Sequence, residues 1–201
     1  MKVKMWIQGG SILCRLYHKH YEMIMYIVSG CEMLCGTKYL YRHEKIGAYL
    51  HWLILRDNRF KVCESWLHHA PLSTTAKGKV TIYWDTPLLT DKIMKSNKPD
   101  IMIWNTTEQT AQLIDVTAQH YYNAVSATAN KITKYKDMQI EIKKFWNLKI
   151  VAIVPFVIGA LGSACNSIAT HLVAISDDAL ERIVQKTALL GISHILRNFL
   201  S

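Results

Sequence analysis

The stretch KPDIMIWNTTEQTAQLIDVT, residues 98–117, constrains the fold more than any other part of the chain. Two short apolar runs, 99–104 and 111–117, flank a polar turn at 105–109, and runs of this kind pair as a hairpin. Each run carries one aspartate, Asp100 and Asp115, so pairing brings both acids to one edge of a sheet. Asp115 stands among Leu113, Ile114 and Val116, where an unpaired carboxylate costs roughly several kcal/mol in lost hydration. The pattern therefore predicts a compensating cation, and two hard carboxylates suit Mg²⁺ or, in its place, Mn²⁺. Taken singly, each acid reads more simply as a turn or strand-end residue. The pair is what points to a metal.

Downstream, residues 123–146 have helical character, and Lys131 and Lys134 fall three positions apart, so their ammonium groups project from one face. Two acids with a nearby lysine form a set suited to phosphodiester hydrolysis. Six lysines (Lys131, Lys134, Lys136, Lys143, Lys144 and Lys149) lie within this region and its flank, opposed only by Asp137 and Glu141, in a chain of net charge +9. Such a cluster favours a polyanion, most simply nucleic-acid phosphate, although charge alone reads as readily as a solvated helix face. Lys98, Lys136, Lys143 and Lys144 are the candidate DNA contacts.

Half of the 201 residues are hydrophobic, enough for a sizeable core and incompatible with a disordered tail. The five cysteines are odd in number and follow no repeating framework, and Gln8-Gly9-Gly10 interrupts the first apolar run. An intracellular, reducing compartment is expected, with no signal peptide. Residues 150–176 carry no Asp, Glu, Lys or Arg. Pro155, Gly159, Gly162, Asn166 and His171 dilute that run, which reads as a buried strand followed by a helix rather than as a membrane span.

Along the chain, residues 1–36 read as a small appended module and 38–56 as a helix. Residues 57–78 read as a loop region with a short helix near Trp66, and 80–84 as a strand. The hairpin, the lysine-bearing helix, a strand at 150–158 and a C-terminal helix from Asp178 to about residue 199 follow.

This order, with an acid opening the second strand and another near the end of the third, resembles the core of PD-(D/E)xK nucleases. The segments YLYRHEKIGAYLHW, IYWDTPLLTD, KPDIMI, LIDVT, KYKDMQIEIKKFW, VPFVIGALG and KTALLGISHILRNFLS resemble more closely the restriction-like endonuclease domain at the C-terminus of site-specific non-LTR retrotransposon polyproteins. The resemblance implies an α/β fold with an αβββαβ core, a mixed four-stranded sheet flanked by helices, and a C-terminal helix, over residues 37–201. It implies Asp100 and Asp115 as metal-binding acids. Thr117 stands where the superfamily lysine normally sits, so that role passes to Lys131 or Lys134 on the following helix.

The implied activity is a Mg²⁺-dependent nick in target DNA that leaves a 3′ hydroxyl to prime reverse transcription. No Tyr-x-Asp-Asp turn occurs in the sequence. The element RNA and a reverse transcriptase would therefore be partners from elsewhere in a longer polyprotein or in trans, and the implied location is nuclear. The family also carries a CCHC zinc knuckle before the nuclease. Here residues 1–36 resemble a degenerate one, with Cys14 and Cys31 kept but Tyr17 and Tyr26 at the other two ligand positions. Tyrosine is not a usual zinc ligand, so zinc is not expected, although a replacement set of Cys14, His18 or His20, Cys31 and Cys35 is conceivable. The alternative reading is a truncated or decayed retroelement remnant that binds nucleic acid without cleaving it.

Overall fold

The computed structural model describes residues 12–94, 96–119, 124–159 and 177–200. Five strands form one mixed sheet in chain order: β1 (Thr74–Lys77), β2 (Val80–Trp84), β3 (Ile101–Asn105), β4 (Thr110–Gln119) and β5 (Ile150–Gly159). The first four strands pair antiparallel, and β5 pairs parallel to β4. Among the described residues the helices of six residues or more are α1 (Ile24–Ser29), α2 (Leu40–Asp57), α3 (Ala124–Phe145) and α4 (Asp177–Leu200). The protein is thus a mixed α/β fold, with α3 in the connection that a parallel β4–β5 pair requires.

The expected sheet of four strands has five. Residues 74–77, read from the sequence as loop, form β1, which pairs Thr74 with Tyr83 and Lys77 with Val80 across the two-residue loop Gly78-Lys79. Gly78 takes a φ of +59°, which suits the first position of a tight hairpin loop. The strand is hard to read because TTAK is polar and largely exposed, as a short edge strand can be, and so shows no alternation of apolar residues. The expected short helix near Trp66 is a single 3₁₀ turn, Trp66–His68, whose Ser65 hydroxyl accepts from the Leu67 N–H. The remainder of the 150–176 run, from residue 160, lies outside the described residues, as do residues 1–11 of the N-terminal segment.

Strand alternation divides the core between two sheet faces. On one face Ile82, Ile101, Ile114, Val116, Val154 and Phe156 pack against Ile46, Tyr49, Leu50 and Leu53 of α2. On the other, Met102, Leu113 and Val151 pack against Tyr135, Met138 and Ile142 of α3. Pro155 sits inside β5, which among the described residues has only β4 as a neighbour, so its missing N–H falls on the sheet edge, where proline is tolerated. Among the described residues no helix is long and apolar enough to cross a membrane.

The N-terminal segment shares its core with the last helix. Cys14, Ile27, Cys31 and Leu34 pack with Ile195 and Phe199 of α4. Arg42 of α2 is buried where these parts meet and donates to the carbonyls of Val28 (2.8 Å) and Ala118 (3.5 Å). Gly191 of α4 lies directly over it, since a Cβ there would fall 2.6 Å from Arg42 Cγ. Arg42 therefore fixes the start of α2 against the end of β4, three residues beyond Asp115.

Candidate active site

Register brings the two acids together. The last pair of the β3–β4 ladder is Ile101 with Ile114, and the two acids flank it, Asp100 one residue ahead of β3 and Asp115 within β4. The hairpin that enforces this closes through Asn105, whose side-chain oxygen accepts from the N–H groups of Thr107 (3.0 Å) and Glu108 (3.2 Å), and through Gln109 at a φ of +53°. The predicted pairing of the two runs is the observed one, with strand bounds that differ by one or two residues.

Asp115 faces α3 and is only 2% exposed. The stripe Lys131, Lys134, Tyr135 lies over it, because positions i, i+3 and i+4 share one helix face. Lys131 Nζ forms an ion pair with Asp115 Oδ2. Lys134 Nζ lies 3.1 Å from Oδ1, and the Tyr135 hydroxyl lies 2.6 Å from the same oxygen. The same hydroxyl lies 3.0 Å from the Lys98 carbonyl and 2.7 Å from Lys134 Nζ. Burial pushes the Asp115 carboxyl up, but the bonds from Lys131 and Tyr135 and the charges of both lysines outweigh it and hold the group below the usual carboxylate range. Burial and the neighbouring Asp115 push the Tyr135 phenol well above its ordinary value, so it stays protonated and able to donate. The compensating charge that the sequence calls for beside Asp115 is supplied by the protein itself. Two ammonium groups and a phenol from α3 compensate the carboxylate.

Asp100 turns the other way. Its Oδ2 accepts from the backbone N–H of Val116 at 2.6 Å and lies 3.2 Å from Nε2 of His43, in the first turn of α2. The same Nε2 lies 3.1 Å from the Val116 carbonyl oxygen. The bond to Asp100 raises the His43 pKa above its ordinary value against the opposing effect of burial. The approach to β3 is fixed on the β2 side by Asp85, held at a φ of +45°, whose N–H donates to the Asp100 carbonyl at 2.8 Å. The Asp85 carboxylate pairs with Lys98 at 2.8 Å.

Of the candidate catalytic residues, Asp115, Lys131 and Lys134 converge on the α3 side, while Asp100 is held on the other side by His43 and Val116, and the candidate DNA contacts join neither group. Lys98 adjoins the site but is paired with Asp85. Lys136, Lys143 and Lys144 are exposed, and among the described residues none of them has an acid partner. Lys143 lies nine residues beyond Lys134, about 14 Å along the helix. These lysines form a basic outer face of α3 that is separate from the carboxylates.

Two residues central to the geometry were not singled out from the sequence. Tyr135 was legible in principle, since it lies four residues after Lys131 on the same helical stripe. His43 was not, because nothing in YRHEK announces that α2 will end against the hairpin.

At the candidate zinc positions, Cys14 and Cys31 are both buried with their Sγ atoms 3.9 Å apart. The Tyr17 hydroxyl donates to Glu32 at 2.5 Å. Among the described residues no three His, Cys, Asp or Glu side chains converge closely enough to enclose a metal ion.

A scan against protein-family models finds no match to this chain, and a search of curated proteins finds no significant relative.

Proposed function

We propose that this chain is a Mg²⁺- or Mn²⁺-dependent DNA endonuclease with a PD-(D/E)xK-type core, of the kind found in site-specific non-LTR retrotransposon polyproteins. The observation that carries this reading is the placement of Asp100 and Asp115 on either side of the terminal Ile101–Ile114 pair of β3 and β4, with two lysines of α3 on Asp115. The donor chemistry fits a divalent ion. The two carboxylates and the Val116 carbonyl are hard oxygens, and each acid already attracts a positively polarised group, ammonium at Asp115 and imidazole at Asp100. Asp100 and Asp115 would hold the ion, which when bound lowers the pKa of water and polarises a phosphoryl oxygen.

The protein's own groups supply the remainder. Tyr135 and Lys131 keep Asp115 ionised and fixed in orientation. Lys134, 40% exposed, is the ammonium group best able to leave the carboxylate and offset charge on a phosphorane. The exposed Lys136, Lys143 and Lys144 would receive DNA phosphates without reading sequence. Target choice, the element RNA and reverse transcription would come from other polypeptide, in the nucleus.

The second reading, a remnant that binds nucleic acid without cutting, draws on Tyr17 and Tyr26 at the zinc-knuckle positions and on Thr117 at the usual lysine position. One experiment separates the two. If the endonuclease reading holds, Asp100→Ala and Asp115→Ala each abolish nicking while DNA binding persists, because each removes an acid and no basic charge. Equal activity in the parent and both variants sinks the assignment, and absence of nicking from the folded parent favours the remnant.

A further inference from the structure

We propose that a cavity between α2 and α4 takes the base of an unpaired nucleotide, so that the chain holds single-stranded nucleic acid at a second place, apart from its carboxylates. The identity of the ligand rests on the nucleic-acid reading above, but the cavity does not depend on cleavage.

The cavity has a volume of about 160 Å³ and is walled by three segments. Tyr41, Lys45 and Ala48 of α2 form one side, since positions i, i+4 and i+7 share a helix face. His43 points to the other side of that helix, against Asp100, so the cavity is separate from the acids. Gly191 and His194 of α4 form the second side, and Trp66 and His69, in and beside the 3₁₀ turn, form the third. Room is left because Ala48 and Gly191, one on each helix, are small. An engineered cavity of about 150 Å³ takes up benzene, so this one accommodates a single planar ring system.

The walls select an aromatic ring that carries negative charge beside it. The Tyr41 and His194 rings lie 4.6 Å apart at an interplanar angle of 32°, forming a continuous aromatic surface. Trp66 is half-buried and braced edge-on by Tyr49 at 5.1 Å. His69 is anchored through Nε2, 2.8 Å from His51 Nδ1. Lys45 Nζ lies 5.6 Å from the centre of the Tyr41 ring and, among the described residues, forms no ion pair. Among the described residues no carboxylate lines the cavity. Aromatic platforms with a cation on the adjoining phosphate hold single strands without regard to sequence. A duplex keeps its bases inside the stack and offers such a cavity nothing to take.

The competing occupant is an aromatic side chain from an acidic protein segment. The nucleotide is favoured because every base brings its own phosphate beside the ring, within reach of Lys45. The net charge of +9 and the basic outer face of α3 also draw phosphate-rich strands to this chain.

The test uses the whole chain in EDTA, which prevents metal-dependent cleavage, and an oligothymidylate carrying one central 2-aminopurine. Stacking on an aromatic ring quenches the fluorescence of that base. The proposal predicts quenching by the parent, and its loss in Tyr41→Ala, which removes a wall, and in Ala48→Phe, which fills the cavity. Both variants should bind the single strand roughly tenfold more weakly or worse. Their affinity for a duplex of the same length should stay within about twofold of the parent, since the phosphate contacts remain. Retained duplex binding also shows that each variant is folded, and the two changes perturb the cavity in opposite directions. Parent-like quenching in both variants, or an equal loss of single-strand and duplex affinity, overturns the proposal. So does more effective displacement of the oligonucleotide by an acidic tripeptide with a central tryptophan, which would assign the cavity to a protein partner. Plasmid nicking with Mg²⁺ on the same preparation tells the two readings apart. A parent that nicks without quenching sinks the cavity assignment alone, one that quenches without nicking sinks cleavage alone, and one that does neither overturns both.

Discussion

Tyr135→Phe isolates the part of the Asp115 network that α3 supplies through a neutral group. The ring is fully buried among Met102, Leu113, Met138 and Ile142, and phenylalanine fills the same space, so no cavity term arises. What disappears is a hydroxyl 2.6 Å from a buried carboxylate oxygen and 3.0 Å from the Lys98 carbonyl. A hydrogen bond to a charged group contributes about 1.5–3 kcal/mol. Asp115 keeps Lys131 and Lys134, so the expected loss lies near the middle of that range, about 2 kcal/mol. For a chain of this size that corresponds to a fall in Tm of about 4–8 °C.

Urea unfolding of parent and variant at pH 7 measures it. The folded pKa of Asp115 is depressed, so its contribution to stability is present above the ordinary carboxylate value of 3.8 and is lost as pH falls through the depressed value. Tyr135 helps to cause that depression. The gap between parent and variant is therefore widest near neutrality and narrows below about pH 4. A difference under about 0.5 kcal/mol at pH 7, the range of an unremarkable surface change, would mean that Tyr135 only packs and that the lysines alone hold Asp115.

Three further outcomes are expected. Of the two lysines on Asp115, Lys134→Ala slows cleavage by roughly 10²-fold or more and Lys131→Ala mainly costs stability, whereas Lys143→Ala damaging the chemistry more than either would refute the role given to α3's inner face. His51 of α2 is fully buried with Nδ1 2.8 Å from His69 Nε2, and burial together with the His69 charge lowers its pKa to about 4. The unfolded state then binds more protons between about pH 4 and 6.5, so stability falls by up to about 3 kcal/mol as pH drops through that window, and urea midpoints for His51→Phe should lose most of this dependence. Changing Lys143 and Lys144 together to alanine should flatten the plot of log affinity against log salt by about one to two units, and an unchanged slope would mean that they only solvate the helix.

The parts of the fold legible in sequence are those governed by local pattern. The runs around residues 105–109 became β3 and β4, and the lysine-bearing helix began and ended within one residue of expectation, because apolar periodicity and turn chemistry act over short distances. β1 was missed because an exposed polar edge strand carries no such pattern. Lys131 and Lys134 were legible as a pair sharing one face, but their target was not, since it depends on how α3 packs across the β4–β5 pair. The cost of burying Asp115 was foreseen and its remedy was not, because desolvation can be read from neighbours in sequence, whereas compensation by Lys131, Lys134 and Tyr135 is a tertiary fact. His43 illustrates the same limit at greater separation, fifty-seven residues before Asp100.

The most direct measurement of the central claim is the conversion of supercoiled plasmid to open circle by the purified chain, with Mg²⁺ in one arm and EDTA in the other. The account predicts open circle with Mg²⁺ and none with EDTA, with Asp115→Ala inactive in both. Conversion that persists in EDTA or in Asp115→Ala, or no conversion by the folded chain with either Mg²⁺ or Mn²⁺, would contradict it.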